Sequence, residues 1–207
     1  MKATVPTTWH DISIKQFVEL YELEQVTDID PYERIANKVS IACEIPYDTV
    51  INVDIKQIKN IANKLSFLDT TPSDTFVNDF FLHGTRYVVN PDIRKITPAQ
   101  FIDLKHWTTD NTNVMANLHR IATIFCIEDG KSYKDINNEE VANLFYKELP
   151  ISIIYPIAVF FLRLWKDSLP VILDYSTKEM QKMILEIEQR LNHLRTGSNS
   201  SGVGIQS

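Results

Sequence analysis

The feature that most constrains this chain is a helix-start signature that recurs along it. Ser13 stands three residues before Gln16, and Thr97 three residues before Gln100. In such a pair the short polar side chain accepts from a free backbone N–H. The Gln or Glu three residues on then reaches back to the cap. The same spacing joins Asp30 to Glu33, Asp54 to Gln57, Asn137 to Glu140 and Ser176 to Glu179. Pro31 sits at a first helical position, where a missing N–H costs nothing. Apolar residues follow at helical spacing. They are Phe17, Leu20 and Tyr21; Ile35, Val39 and Cys43; Ile58, Ile61, Ala62 and Leu65; Met115, Leu118, Ala122 and Cys126; and Val141, Leu144 and Phe145. The expected fold class is mainly α.

Two stretches share more than a cap. Ile12-Ser13-Ile14-Lys15-Gln16-Phe17-Val18-Glu19-Leu20 aligns with Ile96-Thr97-Pro98-Ala99-Gln100-Phe101-Ile102-Asp103-Leu104. Ile, Gln, Phe and Leu coincide, and Ser/Thr, Val/Ile and Glu/Asp are conservative pairs. With a one-residue slip, Cys43 then lies over Cys126 and Ile58 over Val141. Three helices in one order at a nearly constant offset read as a duplicated three-helix unit, over 12–68 and 96–149. The alternative is two similar but unrelated helix triplets.

Between the copies, Phe76, Phe80 and Phe81 lead to His83-Gly84, then to Arg86-Tyr87-Val88-Val89. Aromatic and β-branched residues around a Gly predict one inserted β-hairpin over 76–90. Such a hairpin is marginal alone. It either lies on its own helices or offers its open edge to another chain.

The most apolar run, Ile151 to Trp165, contains Pro156 and Arg163 and ends at Lys166-Asp167. A membrane-spanning helix needs about 20 apolar residues, so a buried helix is expected instead. From Ser176, the residues Met180, Ile184, Ile187, Leu191 and Leu194 fall at three- and four-residue steps. They extend over about two heptads, short of a firm coiled-coil seam. This helix therefore packs either on its own domain or on a partner. A single helical domain is expected over 1–196. The stretch 197–207 holds three of the chain's five glycines and reads as a flexible tail, passive or ordered by a partner.

The search for chemistry returns no catalytic residue, metal ligand or cofactor site. His10, His83, His106, His119 and His193 have no companion at metal-ligand spacing, and Cys43 and Cys126 form no Cys-x-x-Cys pair. Both cysteines read as free thiols within apolar helical patterns. His119 reads as a satisfied core histidine, and His10-Asp11 as a polar pair before a helix. Five glycines leave almost no backbone cradle for phosphate. Asp28 and Asp30 lack the Gly and terminal Glu of a calcium loop. Glu128-Asp129-Gly130-Lys131 reads as a turn. Lys and Arg total 21 against 27 Asp and Glu, a net charge of −6 with no basic stripe, so a nucleic-acid partner is not expected. The N-terminus lacks a signal-peptide core, which places the expected site of action in the cytoplasm. Candidate partner-binding residues are Phe80, Tyr87 and Val89 on the hairpin, Trp107 at a helix end, and Val203 and Ile205 in the tail.

Ile12-Ser13-Ile14-Lys15-Gln16-Phe17-Val18-Glu19-Leu20-Tyr21, followed by Asp30-Pro31-Tyr32-Glu33-Arg34, resembles tailed-phage morphogenesis proteins of the tail assembly chaperone kind, as in crAss-like phages. The hairpin Leu82-His83-Gly84-Thr85-Arg86-Tyr87-Val88-Val89 and the capped helix with Gln100-Phe101 strengthen the likeness, which covers roughly residues 10–150. The resemblance implies a non-enzymatic protein that binds phage tail, neck or portal proteins in the host cytoplasm. A structural ring or connector subunit of the virion, with homo-oligomerisation, is the alternative. An enzyme or host-directed regulator with an unrecognised site is a further one. The resemblance assigns no functional residue.

Overall fold

The computed structural model describes residues 4–73, 75–90, 92, 95–108 and 114–160. These fall in one compact unit, Met1–Phe161. The expected C-terminal amphipathic helix and the tail, with Val203 and Ile205, lie outside the described residues. The architecture is mainly helical with a small antiparallel sheet. In chain order it runs α1 (Ile14–Gln25), α2 (Pro31–Ala42), α3 (Tyr47–Val50), α4 (Ile55–Lys64), β1 (Asp79–Leu82), β2 (Thr85–Val89), α5 (Pro98–Thr108), α6 (Leu118–Phe125), β3 (Cys126–Glu128) and α7 (Asn138–Glu148). A last helix, α8, covers 151–160.

The caps start the helices as their chemistry predicts. Gln16 N–H donates to Ser13 Oγ at 3.2 Å, and Ser13 N–H donates to Gln16 Oε1 at 2.8 Å. Gln100 N–H donates to Thr97 Oγ1 at 3.3 Å, and Thr97 N–H to Gln100 Oε1 at 2.9 Å. At Asp30 and Asp54 only the cap half forms: Asp30 accepts from Tyr32 N–H and Glu33 N–H, and Asp54 from Lys56 N–H. At Asp30, a Glu33 carboxylate turning back would meet the Asp30 carboxylate; Gln57 after Asp54 carries no such charge, yet it too makes no return bond.

Both glutamines then do a second job. Each is buried, at 7% and 3% exposure, and each donates its amide to the end of the next helix. Gln16 Nε2 donates to the Ala42 carbonyl at 3.0 Å, and Gln100 Nε2 to the Ile124 carbonyl at 2.6 Å. Terminal helix carbonyls lack an intrahelical donor, so a buried amide there satisfies both partners. One residue thus fixes the start of one helix to the end of another. In both halves the middle helix lies between its two neighbours: α2 touches α1 and α4, and α6 touches α5 and α7.

The halves join through α1, α7 and the start of α8. Ile14 N–H donates to the Leu149 carbonyl at 3.1 Å, and Ile151 N–H to the Ile12 carbonyl at 2.8 Å. Around this short bridge, Ile12, Ile14, Phe145, Leu149, Ile151, Ile154 and Ile157 are fully buried. One face of the apolar run from Ile151, with Ile154, Ile157 and Ala158, is therefore core. No helix among those residues is long and apolar enough to cross a membrane.

The hairpin forms where expected, with a two-residue turn. Leu82 pairs with Thr85 across His83 and Gly84, whose φ values are +51° and +79°. Positive φ at both positions is the geometry that follows the right-handed twist of two antiparallel strands. The sheet is larger than a hairpin, however. β3 pairs with β2, Val88 opposite Ile127 and Val89 opposite Cys126, giving the order β1-β2-β3. The helical reading of Cys126 is corrected here. Residue 126 caps α6 in extended backbone, and the chain continues as a strand because its apolar side chains meet the hairpin. Arg86 on the outer sheet face ties the layer together, its Nε donating to Asp79 at 2.8 Å and its Nη1 to Asp129 at 3.1 Å.

Candidate functional site

The hairpin does not present the candidate residues assigned to it. Phe80, Tyr87 and Val89 are buried, at 7%, 4% and 2% exposure. Phe80 stacks on Tyr87 at 5.3 Å, and both meet the Phe145 ring edge-on, at 5.7 and 5.1 Å. The alternation of the strand turns these side chains inward and leaves Phe81, Arg86 and Val88 outside. The hairpin lies on its own helices, and β2 has neighbours on both sides. Trp107 is half-buried, with the Arg120 guanidinium 4.5 Å above its ring. Arg120 is itself held by both carboxylate oxygens of Glu139. Arg120 thus covers one face of the Trp107 ring.

The polar groups singled out in the sequence sit apart among the described residues. His10 Nδ1 lies 3.2 Å from Ser152 Oγ, while Asp11 accepts from the backbone N–H groups of Thr7 and Thr8. The two neighbours face different partners. The Thr7 N–H, followed by the Thr8 donors, holds the Asp11 carboxyl below the usual carboxylate range. Cys43 and Cys126 are free and buried, and burial pushes both thiols up, away from thiolate chemistry. His119 corrects an expectation. Its Nδ1 is buried without a hydrogen-bond partner, and its ring packs 4.8 Å from Tyr146. Burial, helped by the Arg120 charge, lowers its pKa to about 4, so the imidazole is neutral. No group of three His, Cys, Asp or Glu among the described residues has the placement to hold a metal ion.

The surface the sequence did not mark is the corner formed by α2, α3 and α4. It is shaped by the end of α2. There Glu44 adopts φ +51°, Glu44 N–H donates to the Ile41 carbonyl at 3.3 Å, and Ile45 N–H donates to the Ser40 carbonyl at 3.0 Å. This is the Schellman closure, with Glu where Gly is usual. It reverses the chain, and Pro46 starts α3 directly.

An apolar depression lies on each side of the segment so placed. The larger, about 650 Å³, is lined by Gln16, Val39, Cys43, Val50 and Ile58 among others. Two of its polar side chains are engaged, Gln16 with Ala42 and Asp11 with Thr7 and Thr8, while Thr4, Glu44 and Thr49 also line it. The smaller, about 360 Å³, runs between α2 and α3–α4 and is lined by Tyr32, Ile35, Tyr47, Val50, Ile51 and Ile55, with Asp30, Glu33 and Lys59. Val50 and Ile58 belong to both walls and are buried. At the mouth of the smaller groove three large apolar side chains stand in water: Tyr32 at 58% exposure, Ile51 at 53% and Ile55 at 53%. Lys59 Nζ sits 5.7 Å from the Tyr32 ring.

No family model, curated protein or solved structure matches this chain. The candidate site is therefore read from its own chemistry. Apolar side chains clustered on a groove of packed helices, with charged residues around them, are features common at protein-binding surfaces.

A sequence signal for this corner existed. Ile55 extends the apolar stripe Ile58, Ile61, Ala62 and Leu65 of α4 toward its N-terminus, and it is exposed where Ile58 is buried. Ile51 lies outside any periodic run, so its exposure had no signature.

Proposed function

We propose that this chain is a non-enzymatic binding protein of tailed-phage morphogenesis, close in role to tail assembly chaperones. It shields an apolar surface of a phage tail, neck or portal protein while that protein assembles in the host cytoplasm. The observation that carries this reading is the cluster of Tyr32, Ile51 and Ile55, each more than half exposed, on a groove between packed helices. Leaving such side chains in water forgoes the roughly 1.5–3 kcal/mol that burying each one yields, and a docked partner recovers it. The likeness of the stretches around Ser13–Tyr21 and Leu82–Leu104 to phage morphogenesis proteins supplies the biological setting.

The finer reading of the fold belongs here as well. A duplicated three-helix unit over 12–68 and 96–149 is supported by matched caps, Ser13–Gln16 and Thr97–Gln100. It is also supported by matched amide bonds from Gln16 and Gln100 to the ends of α2 and α6.

The second reading is a ring or connector subunit of the particle. Phe81 at 66% exposure and Ile102 at 65% favour it, because they lie on the sheet and on α5, away from the α2–α4 corner. A ring subunit needs apolar contacts toward more than one neighbour. Quantitative mass spectrometry of purified particles separates the two readings. The chaperone reading predicts that the chain is absent from particles but present in infected cells. A fixed copy number in every particle contradicts it and establishes the ring subunit.

A further inference from the structure

We propose that the groove between α2 and α3–α4 receives an amphipathic helix of a partner protein whose apolar anchors are flanked by Lys or Arg. This rests on reading the chain as a binding protein, and it names the partner's chemistry.

The groove wants apolar anchors, because Tyr47, Val50, Ile51, Ile55 and Ile58 form its lining. Its rim is acidic. Asp30 and Glu33 line it, and Asp28, Asp48 and Asp54 are exposed on the same segments. Among the described residues none of these carboxylates is in an ion pair, whereas the basic side chains nearby are largely committed. Arg34 donates to the carbonyls of Leu23 and Val26 and pairs with Glu24, and Lys38 pairs with Glu24 and Asp69. Lys56 and Lys59 remain, and they are outnumbered. An acidic rim around an apolar slot selects a positively flanked partner and repels a negatively flanked one.

A helix fits this groove better than an extended strand. Both walls are helices whose backbone groups bond within the helix, so an extended peptide would find no ladder to join. A helix brings its backbone already satisfied and fills the slot with residues three and four apart. A second copy of this chain is disfavoured, because a two-fold contact would set the acidic rim against itself.

The test uses the full chain and a pair of synthetic peptides of about 14 residues. Each carries leucines at the first, fourth, fifth and eighth helical positions, one with Lys pairs at both ends and the other with Glu pairs. Binding is read by fluorescence anisotropy at low salt, and the site by amide NMR shifts. The Lys-flanked peptide is expected to bind with a Kd of roughly tens of micromolar, at least about tenfold tighter than its Glu-flanked twin. Its shifts should concentrate in 30–36 and 47–59, and salt should weaken it. The pair Ile51→Ser and Ile55→Ser should remove binding with the melting temperature nearly unchanged, since both side chains are more than half exposed. Glu33→Lys with Asp48→Lys should reverse the preference between the two peptides, while Phe81→Ser on the sheet should leave it as it was.

Equal affinity for both peptides, shifts centred elsewhere, or an unreversed preference in the charge-swapped chain would overturn the proposal. A chain that ignores both peptides at about 1 mM, yet still retains a phage structural protein in infected cells, overturns the groove and leaves the assembly reading standing.

Discussion

Gln16 and Gln100 each close a cap and tie it to the end of a neighbouring helix. Replacing either by Ala strips the cap's return bond and leaves a helix-end carbonyl buried without a donor. The expected cost is about 2–3 kcal/mol for each, read as a lower urea midpoint at unchanged slope. Glu at either site should cost more than Ala, because its carboxylate would face the Ala42 or Ile124 carbonyl with no proton to give. A loss below about 0.5 kcal/mol at both positions would remove the double role. The cap half of this arrangement was legible at Ser13 and Thr97, since a local spacing announces it. The amide bond was not, because Ala42 and Ile124 lie 26 and 24 residues away and no local pattern encodes their approach.

His119 makes a pH-dependent prediction at the same scale. Its pKa falls from 6.5 to about 4 in the folded chain, chiefly through burial, with Arg120 lowering it further and Glu139 opposing. The unfolded chain therefore binds a proton first. The stability from neutral His119 is fully present above pH 6.5 and is lost as the pH falls through about 4. Urea midpoints measured from pH 7 to pH 4 should decline, and His119→Phe should remove part of that slope. An identical slope in the variant would contradict the buried neutral imidazole.

Among the described residues, the turn between α2 and α3 holds one of two non-glycine residues with positive φ, the other being His83 in the hairpin. Glu44 occupies a left-handed position that suits Gly, so Glu44→Gly is expected to stabilise the chain by about 0.5–1 kcal/mol, visible as a higher thermal midpoint. Destabilisation would mean that the Glu44 side chain contributes more than its backbone loses. The sheet makes the opposite kind of prediction. Phe145 is fully buried beneath Phe80 and Tyr87, and Phe145→Ala should cost about 3–5 kcal/mol and weaken hydrogen-exchange protection across β1 and β2. The hairpin could be read from His83-Gly84 and its flanking residues, a short-range signal. Strand β3 could not, because Cys126-Ile127-Glu128 becomes a strand only by pairing with Tyr87, Val88 and Val89. Packing of one sheet face on Phe145 of α7 is what makes Phe80 and Tyr87 core.

For the whole molecule, the mainly helical class and, among the described residues, the caps at Ser13, Asp30, Asp54, Thr97 and Asn137 followed from sequence alone. The exposed apolar corner proposed as the binding surface did not. Aromatic residues that cluster in sequence, as Phe80 and Tyr87 do with their neighbours, are usually what a small core consumes. The corner of α2, α3 and α4 instead gathers Tyr32, Ile51 and Ile55 from three elements through a backbone reversal at Glu44. The central claim is that the protein acts by offering this corner to a phage structural protein. Its most direct test is affinity capture from infected cells with the full chain, run beside the Ile51→Ser, Ile55→Ser pair and quantified by mass spectrometry. The account predicts that a tail, neck or portal protein is retained by the native chain and lost from the paired variant. Equal retention by both, or no phage structural protein with either, would contradict it.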